Sequence, residues 1–488
     1  MAEDTIQVTQ KNVDVYRSRG HTNEDLLPKT VEQRNMGLLN YFTLWMGNLH
    51  NIPNYASVGG FLVLGLAPIN VMLALMVGAV ATGLLMALNG KAGAKYGIPF
   101  SMQLRSAYGS TGAKIPGILR GVIVAIGWFG LQTYVGSQAL LIIIGRLWPG
   151  FMNLGGTINI LGLSIPGLIS FVIFWLANVY IGLGGGSLLN KFNNLLTILI
   201  YVLFIGMGIW GVRVGGGFSN ILQYTASGTT NSSGLFFSSL MVINAVLAFW
   251  SAPTASVGDF TQYANSENDQ KWGQLLSLVI GYLVFVFTSM AILIGASINY
   301  GTEIWDALEV INRWDSIPAV LFATLVLLLI TVNSNATANV TPAAYQFSAL
   351  FPEYIDYKKG VWLASILGVL IMPWKLMENP DSIYTFLNSV GAVMGPVIGI
   401  MLYQFFVIDK QHIDLDELYF EENTVLKTDN KYVGANLNAL FATLIGFLAS
   451  IIGNFISALS IFSSLSLFTG LIVGVIAYAL LETINKNK

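Results

Sequence analysis

Long uncharged, apolar stretches alternate with short charged ones along almost the whole chain. No charged residue falls in 121–145, between Arg120 and Arg146, in 192–212, between Lys191 and Arg213, or in 382–408, between Asp381 and Asp409. Each stretch can supply the roughly 20 apolar residues that a bilayer-crossing helix needs. The longer stretches 147–190, 214–258 and 432–481 hold one or two such helices each. The patterning predicts twelve spans, near 38–64, 69–93, 115–145, 158–182, 190–212, 236–262, 273–298, 316–347, 360–377, 382–408, 434–455 and 462–482. The glycine-rich stretches 183–186 and 213–217 read as loop ends. The expected architecture is an all-α polytopic membrane protein, with the bilayer as its solvent.

Two of these spans carry nearly the same interruption. One reads Pro53-Asn54-Tyr55-Ala56-Ser57-Val58-Gly59, the other Pro253-Thr254-Ala255-Ser256-Val257-Gly258. Proline and glycine inside a span strip hydrogen bonds from the backbone, and lipid cannot replace them. A pair of such breaks in corresponding places of two halves points to a transporter's binding site. The pattern therefore predicts a solute carrier. Spans 1–5, within 37–212, and spans 6–10, within 213–408, form two repeats of odd length, so the second lies inverted. Their discontinuous first helices, spans 1 and 6, then meet at the bilayer midplane and present half-helix ends to substrate and ion. The remainder divides into a tail over 1–36, a loop over 409–433, two further spans in 434–482 and a short tail over 483–488.

Composition agrees with a membrane protein: 54% of residues are hydrophobic and 10% charged, against about a quarter charged in soluble proteins. A net charge of −2 gives no reason to expect a nucleic-acid partner. The absence of cysteine excludes disulfides, thiolate metal sites and cysteine nucleophiles. The N-terminal tail lacks the basic start and short apolar core of a cleaved signal peptide, so span 1 is expected to act as the insertion signal. Of the 23 basic residues, only Arg146, Arg213, Arg313 and Lys375 fall on one side of the predicted spans. The rest, from Lys11 to Lys488 and including Arg120, Lys191 and Lys427, fall on the side of both termini, which places the termini in the cytoplasm. No HExxH pair, P-loop or GxSxG elbow occurs, and no soluble stretch is long enough for a nucleotide domain. An enzyme or an ATP-driven pump is not expected.

Candidate chemistry lies in four spans. In span 3, Trp128 and Gln132 are one turn apart and share a helix face, an indole beside a carboxamide that suits a planar hydrogen-bonding ring. In span 6, Phe249 and Trp250 lie one turn before the proline, and Asp259 follows near the end of the span. Span 8 carries Asn333, Ser334, Asn335 and Asn339, which are costly against lipid and must face the bundle interior. Interhelical hydrogen bonding accounts for part of that set. In span 1, His50 and Asn51 sit at the break, and His50 is either a satisfied core histidine or a titratable ligand contact.

At these residues the chain resembles the nucleobase:cation symporter-1 family, carriers of purines, pyrimidines, hydantoins and allantoin. The resemblance runs from about Leu38 to Glu417. It includes Leu44-Trp45-Met46-Gly47, His50-Asn51-Ile52-Pro53, Trp128-Phe129-Gly130-Leu131-Gln132-Thr133, Asn339-Val340-Thr341-Pro342-Ala343-Ala344-Tyr345 and Met372-Pro373-Trp374-Lys375. The run from Trp45 to Gly60 and the stretch Pro373 to Glu378 look most like bacterial allantoin permeases. The resemblance implies a LeuT-like 5+5 inverted repeat with spans 11 and 12 outside it. It matches Trp128 and Trp250 to a pair that sandwiches the substrate ring, and Gln132 and Asn339 to the polar pair that reads its amide edge. It further implies a cation site between span 1, at the carbonyls of Gly47 and His50, and span 8, at the Ile330 carbonyl and the side chains of Asn333 and Ser334. Asn333 stands where the family's sodium-coupled carrier has a serine hydroxyl, so proton coupling through His50, Asp259 or Glu378 is the alternative to sodium.

The expectation is a monomeric plasma-membrane importer, embedded in lipid and needing no cofactor beyond a coupling sodium ion or proton. It moves allantoin, or else uracil or a hydantoin, by alternating access. Substrate stacks between Trp128 and Trp250, beside Phe249, and is held by Gln132, Asn339, Asn51 and His50. Spans 3, 4, 8 and 9 rock against spans 1, 2, 6 and 7, and Tyr384-Thr385-Phe386-Leu387 of span 10 forms an outer lid. A channel, a membrane-embedded enzyme and a sensor are the rivals from other classes.

Overall fold

The computed structural model describes residues 5–62, 64–184, 193–225, 234–351, 354–378, 380–420 and 430–486. Lys191, Lys427 and Lys488, counted above on the basic side, lie outside the described residues.

Among the described residues, ten helices are long and apolar enough to cross a membrane. In chain order, a short N-terminal helix α1 (Gln10–Ser18) precedes the two pieces α2 (Leu38–Leu49) and α3 (Ile52–Leu62). Next come α4 (Pro68–Tyr96), α5 (Phe100–Tyr108), α6 (Lys114–Leu147), α7 (Ile165–Leu183) and α8 (Leu195–Val214). The second half holds α9 (Leu235–Ala255), α10 (Gly258–Thr261), α11 (Glu267–Tyr300), α12 (Ala307–Asn312), α13 (Ile317–Ser348), α14 (Tyr357–Leu370) and α15 (Ser382–Ile408). The chain ends with α16 (Leu437–Asn454) and α17 (Ser466–Asn485). Two of the predicted spans do not meet the length requirement as single helices. The first is split into α2 and α3, and the ninth, α14, has 14 residues. At 1.5 Å per residue α14 rises about 21 Å, short of a hydrocarbon core about 30 Å thick.

The first interruption falls just before its phrase, and the second falls within it. The first lies at His50-Asn51, and Pro53 occupies the first turn of α3, where its missing N–H has no helical partner to lose. The second lies at Ser256-Val257, after Pro253 has already entered the last turn of α9. α13 carries a further irregularity, a widened π turn over Ala336–Val340 immediately before Pro342. A proline ring clashes with the carbonyl four residues earlier, and widening the turn relieves that clash.

Packing sorts the helices into groups. α2, α4, α9 and α11 pack on one another, α6 packs on α7 and α13, and α14 lies on the end of the α13 segment. α8 touches both groups through α11 and α13, and α15, α16 and α17 pack together beside α9. Gly211 and Gly295 let α8 and α11 approach closely, since a Cβ on either would meet backbone of the other helix. The tail over 5–36 is ordered against the same end of the bundle. Ile6 and Lys29 donate backbone N–H groups to the carbonyls of Lys95 and Gly97, each at 2.8 Å, and Met36 donates to Tyr263 at 2.9 Å. Val8, Val13, Tyr16 and Leu27 share an apolar cluster with Tyr96, Met102, Phe405 and Leu418, and the Tyr16 ring stacks on Tyr419 at 4.6 Å.

Candidate functional site

Trp128, on the first half of α6, is buried. Its ring is met edge-on by Phe249 of α9 and by Phe386 of α15, each with centroids 5.0 Å away. Phe386 belongs to the segment expected to act as a lid, and its neighbour Tyr384 donates to the Ser464 carbonyl at 3.1 Å. Trp250 faces elsewhere. Its indole Nε1–H donates to Tyr282 Oη on α11 at 2.9 Å, and its ring meets Trp45 of α2 edge-on at 6.0 Å. Consecutive helical residues point about 100° apart, so Phe249 and Trp250 reach different neighbours. The structure puts Phe249 against Trp128 and puts Trp250 in the α2–α11 core.

Gln132, one turn beyond Trp128, accepts at Oε1 from Ser334 Oγ at 3.2 Å, joining α6 to α13. Asn339 lies in the widened turn of α13 and donates to Asn335 Oδ1 at 2.9 Å. Asn335 in turn donates to Phe129 O, Thr133 Oγ1 and Asn178 Oδ1 at 3.2, 3.0 and 3.0 Å. Asn335 is thus the tie that holds α6, α7 and α13 together. Gln132 and Asn339 lie at the edge of that tie, on helices that pack against each other.

His50 is fully buried between the halves of the first broken helix. Its Nδ1 is 2.9 Å from Tyr55 Oη, which is 2.9 Å from Thr288 Oγ1 on α11. The rings of Tyr201 and Phe204 on α8 and Phe285 on α11 enclose it, and its Nε2 has no hydrogen-bond partner among the described residues. Asn51 caps α3: its Oδ1 accepts from Asn54 N–H at 3.0 Å, while its Nδ2 donates to Asn48 O at 2.9 Å. Of the residues expected around a cation, Gly47 lies against α8, where an added Cβ would be 2.6 Å from Thr197 Oγ1. Ile330, Asn333 and Ser334 lie on α13, and Ser334 Oγ also donates to Thr331 O at 3.3 Å. α8 packs against both α2 and α13. Asp259 accepts from the Phe100 N–H at 2.9 Å and so caps α5, and exposed Glu378 is paired with Lys375 at 3.1 Å. Among the described residues no three His, Asp or Glu side chains gather into a metal-binding group.

Sequence reasoning placed Arg120 among the basic residues of a cytoplasmic segment. The structure buries it, 5% exposed. Its Nε donates to the Ala252 carbonyl at 2.7 Å and to Ser256 Oγ at 3.1 Å, at the second break. Asn89 of α4 joins it, donating from Nδ2 to the carbonyls of Thr254 and Ala255 at 2.7 and 3.0 Å. An asparagine near the end of the long apolar run of α4, after Leu88, was the available signal for this role. At the opposite end of the bundle a cleft of about 490 Å³ runs from Arg146, Asp306 and Glu309 past Tyr134 and Gln138 to Ile52, the first residue of α3. Burial pushes the Asp306 carboxyl there up to about 6.

Residues 28–481 match the family model described as a permease for cytosine/purines, uracil, thiamine and allantoin. The chain belongs to this family. The permease is 50% identical, over 96% of each chain, to a provisionally named allantoin permease of Escherichia coli (strain K12). It is 34% identical to the allantoin permease of Bacillus subtilis (strain 168), over 95% of this chain and 94% of that one. Among solved structures it resembles Mhp1 in an inward-facing conformation, with a TM-score of 0.74 and 20% identity over 95% of this chain and 94% of that one. It also resembles Mhp1, described as a nucleobase-cation-symport-1 family transporter, closed around bromovinylhydantoin, with a TM-score of 0.72 and 22% identity over 95% and 96%. At these identities the likeness to Mhp1 establishes the fold of the permease.

Proposed function

We propose that this permease imports allantoin across the plasma membrane by alternating access, coupled to a cation. The observation that carries the reading is the convergence of Trp128, Phe249 and Phe386 from three helices, with the Gln132 carboxamide one turn along from Trp128 and Asn339 on the helix packed against it. Aromatic faces accept a flat ring, and carboxamides both donate to and accept from a ureide edge. The names of the Escherichia coli and Bacillus subtilis relatives support allantoin as the substrate. Uracil or a hydantoin is the second reading, favoured by the bromovinylhydantoin bound to Mhp1.

In this reading the membrane domain has twelve spans, ten of them a 5+5 inverted repeat with α2/α3 and α9/α10 as its broken helices, and α16 and α17 lie outside the repeat. The chain works as a monomer with both termini cytoplasmic. The cleft that reaches Ile52 is then the outer approach to the site, and the Arg120 contacts close the inner side. Sodium at Gly47, His50, Ile330, Asn333 and Ser334, or a proton, supplies the coupling.

The test is uptake of labelled allantoin by cells expressing the chain, with tenfold excess uracil as competitor. Saturable uptake that uracil leaves unchanged is expected, and uptake abolished by uracil moves the substrate to the second reading. Stacking on an aromatic side chain contributes about 1–3 kcal/mol, so Trp128→Ala should weaken allantoin binding about fivefold or more. Unchanged affinity in that variant would sink the aromatic site.

A further inference from the structure

A second concavity lies away from the candidate site, on the flank where α8, α11 and the start of α13 meet. It has a volume of about 620 Å³. Its floor is apolar, running along α8 from Val202 past Gly206 to Trp210, with Phe322 of α13 opposite. Val202 and Phe322 are 58% and 46% exposed, which opens the floor to the surrounding bilayer. At 1.5 Å per residue the stretch from Val202 to Trp210 is about 12 Å long, the reach of much of one acyl chain. Gly206 leaves this floor empty, since a Cβ added there would meet nothing within 4 Å.

The mouth is polar and sits where the helices end. Tyr300 terminates α11, and Arg313, Trp314 and Asp315 immediately precede α13. Trp210 and Trp314 meet edge-on at 5.5 Å. The Trp314 indole N–H is buried without a hydrogen-bond partner among the described residues. Tryptophans at this level are typical of the headgroup zone of a membrane. The two charges at the mouth have opposite signs. Arg313 spends one N–H on Thr302 at 2.9 Å and one on Glu309 at 2.6 Å, which leaves further donors of its guanidinium available. Asp315 is exposed and makes no ion pair among the described residues.

We propose that this groove is a binding site for an aminophospholipid, phosphatidylethanolamine. One acyl chain lies along Val202, Gly206 and Phe322. The phosphate meets Arg313, and the primary ammonium meets Asp315 beside the tryptophan pair, where ring faces also attract cations. A purely anionic headgroup would leave Asp315 facing like charge, and a quaternary ammonium could not donate a hydrogen bond to its carboxylate.

The full-length permease would be purified in detergent and titrated with dioleoylphosphatidylethanolamine, dioleoylphosphatidylglycerol or dioleoylphosphatidylcholine. Native mass spectrometry would read retained lipid, and thermal unfolding would read stabilisation. The expected result is saturable retention of the ethanolamine lipid, at least fivefold stronger than of the other two. Gly206→Phe, which fills open space, should lose that retention at least tenfold with an unchanged melting temperature in lipid-free detergent. Exposed Asp315→Asn should bring the ethanolamine and choline lipids to equal retention. Equal or stronger retention of the glycerol lipid by the wild-type chain, or full retention by Gly206→Phe, would overturn the proposal.

Discussion

Between Leu49 and Ile52 the backbone groups freed by the break are satisfied within the segment itself, whereas between Ala255 and Gly258 they are satisfied by two other helices. At the first break Asn51 caps α3, and Asn54 Nδ2 donates back to the Leu49 carbonyl at 3.0 Å. At the second, Asn89 of α4 and Arg120 of α6 take the carbonyls of Thr254, Ala255 and Ala252. The difference follows from what the local sequence offers: Asn51 and Asn54 stand at and just after the first break, whereas 256–258 is Ser-Val-Gly, with no carboxamide or basic side chain. A helix start needs acceptors for its N–H groups, and a nearby asparagine oxygen suffices. A helix end needs donors, and a cation there also meets the negative end of the half-helix dipole. The first break is therefore a self-contained joint. The second is bound to its neighbours, and Arg120 links α6 to α9 across the two packing groups, so their relative movement at this level must break that contact.

The largest effect should come from Arg120→Ala. It leaves a buried carbonyl and the Ser256 hydroxyl without their charged partner, a loss of about 2–3 kcal/mol. Thermal unfolding of the purified permease should show the drop, and Arg120→Lys should recover only part of it, because an ammonium lacks the fork geometry of the guanidinium. If Arg120→Ala proves no more destabilising than loss of the Asn51 cap, the contrast between the two breaks fails. Asn89→Ala comes next. It removes one donor group shared by two carbonyls and should cost about 1–2 kcal/mol, read in the same melting experiment.

The sequence announced the existence of both breaks but not their mending. Pro53 and Pro253 marked the neighbourhood of both interruptions, one in the first turn of α3 and the other in the last turn of α9. The caps at the first break, Asn51 and Asn54, were within reach of a local reading, since they lie in the phrase itself. Asn89 and Arg120 come from positions about 165 and 132 residues away from the carbonyls they satisfy, and one-dimensional patterning has no access to such a distance. Arg120 was counted only among the basic residues on the side of the termini, a count that carries no information on burial or partners. The aromatic cluster was legible in part: Trp128 and Phe249 were candidates from the sequence. The 100° turn between Phe249 and Trp250, which decides which of them meets Trp128, becomes visible only once the rotation of α9 is known. The N-terminal tail was read only as lacking a signal peptide. Its apolar residues Val8, Val13 and Tyr16 are too few to signal packing until Tyr419 and Tyr96 are beside them.

A shallower effect should report on how α3 is held at its far end. There Trp305 lies so close to Gly59 that a Cβ on the glycine would be 2.6 Å from the Trp305 Cβ. The next residue, Asp306, caps α12 through the Leu308 N–H at 3.0 Å, and burial raises its carboxyl from 3.8 to about 6. The folded chain then binds this proton more tightly than the unfolded chain does. Ionisation is the unfavourable event, so stability is greatest below about pH 4 and falls as pH rises through 6, as far as this one group is concerned. Asp306→Asn keeps a capping oxygen and should remove that slope from a series of melting curves between pH 4 and 7. A slope unchanged by the substitution would show that Asp306 does not control this end of α3.

The smallest effect is expected from Asn51→Ser, and it separates the two roles Asn51 has been given. Serine caps a helix about as well as asparagine, so the start of α3 should keep its acceptor and the melting temperature should stay close to that of the wild type. Asn51→Ala, by contrast, should cost about 1 kcal/mol through loss of the cap. Serine lacks the carboxamide's two N–H donors and reaches less far. A residue that contacts substrate should therefore show a raised KM for allantoin in the serine variant even though stability is kept. A KM that stays at the wild-type value would assign Asn51 wholly to the joint, and the polar reading of the ring would then rest on the carboxamides of Gln132 and Asn339.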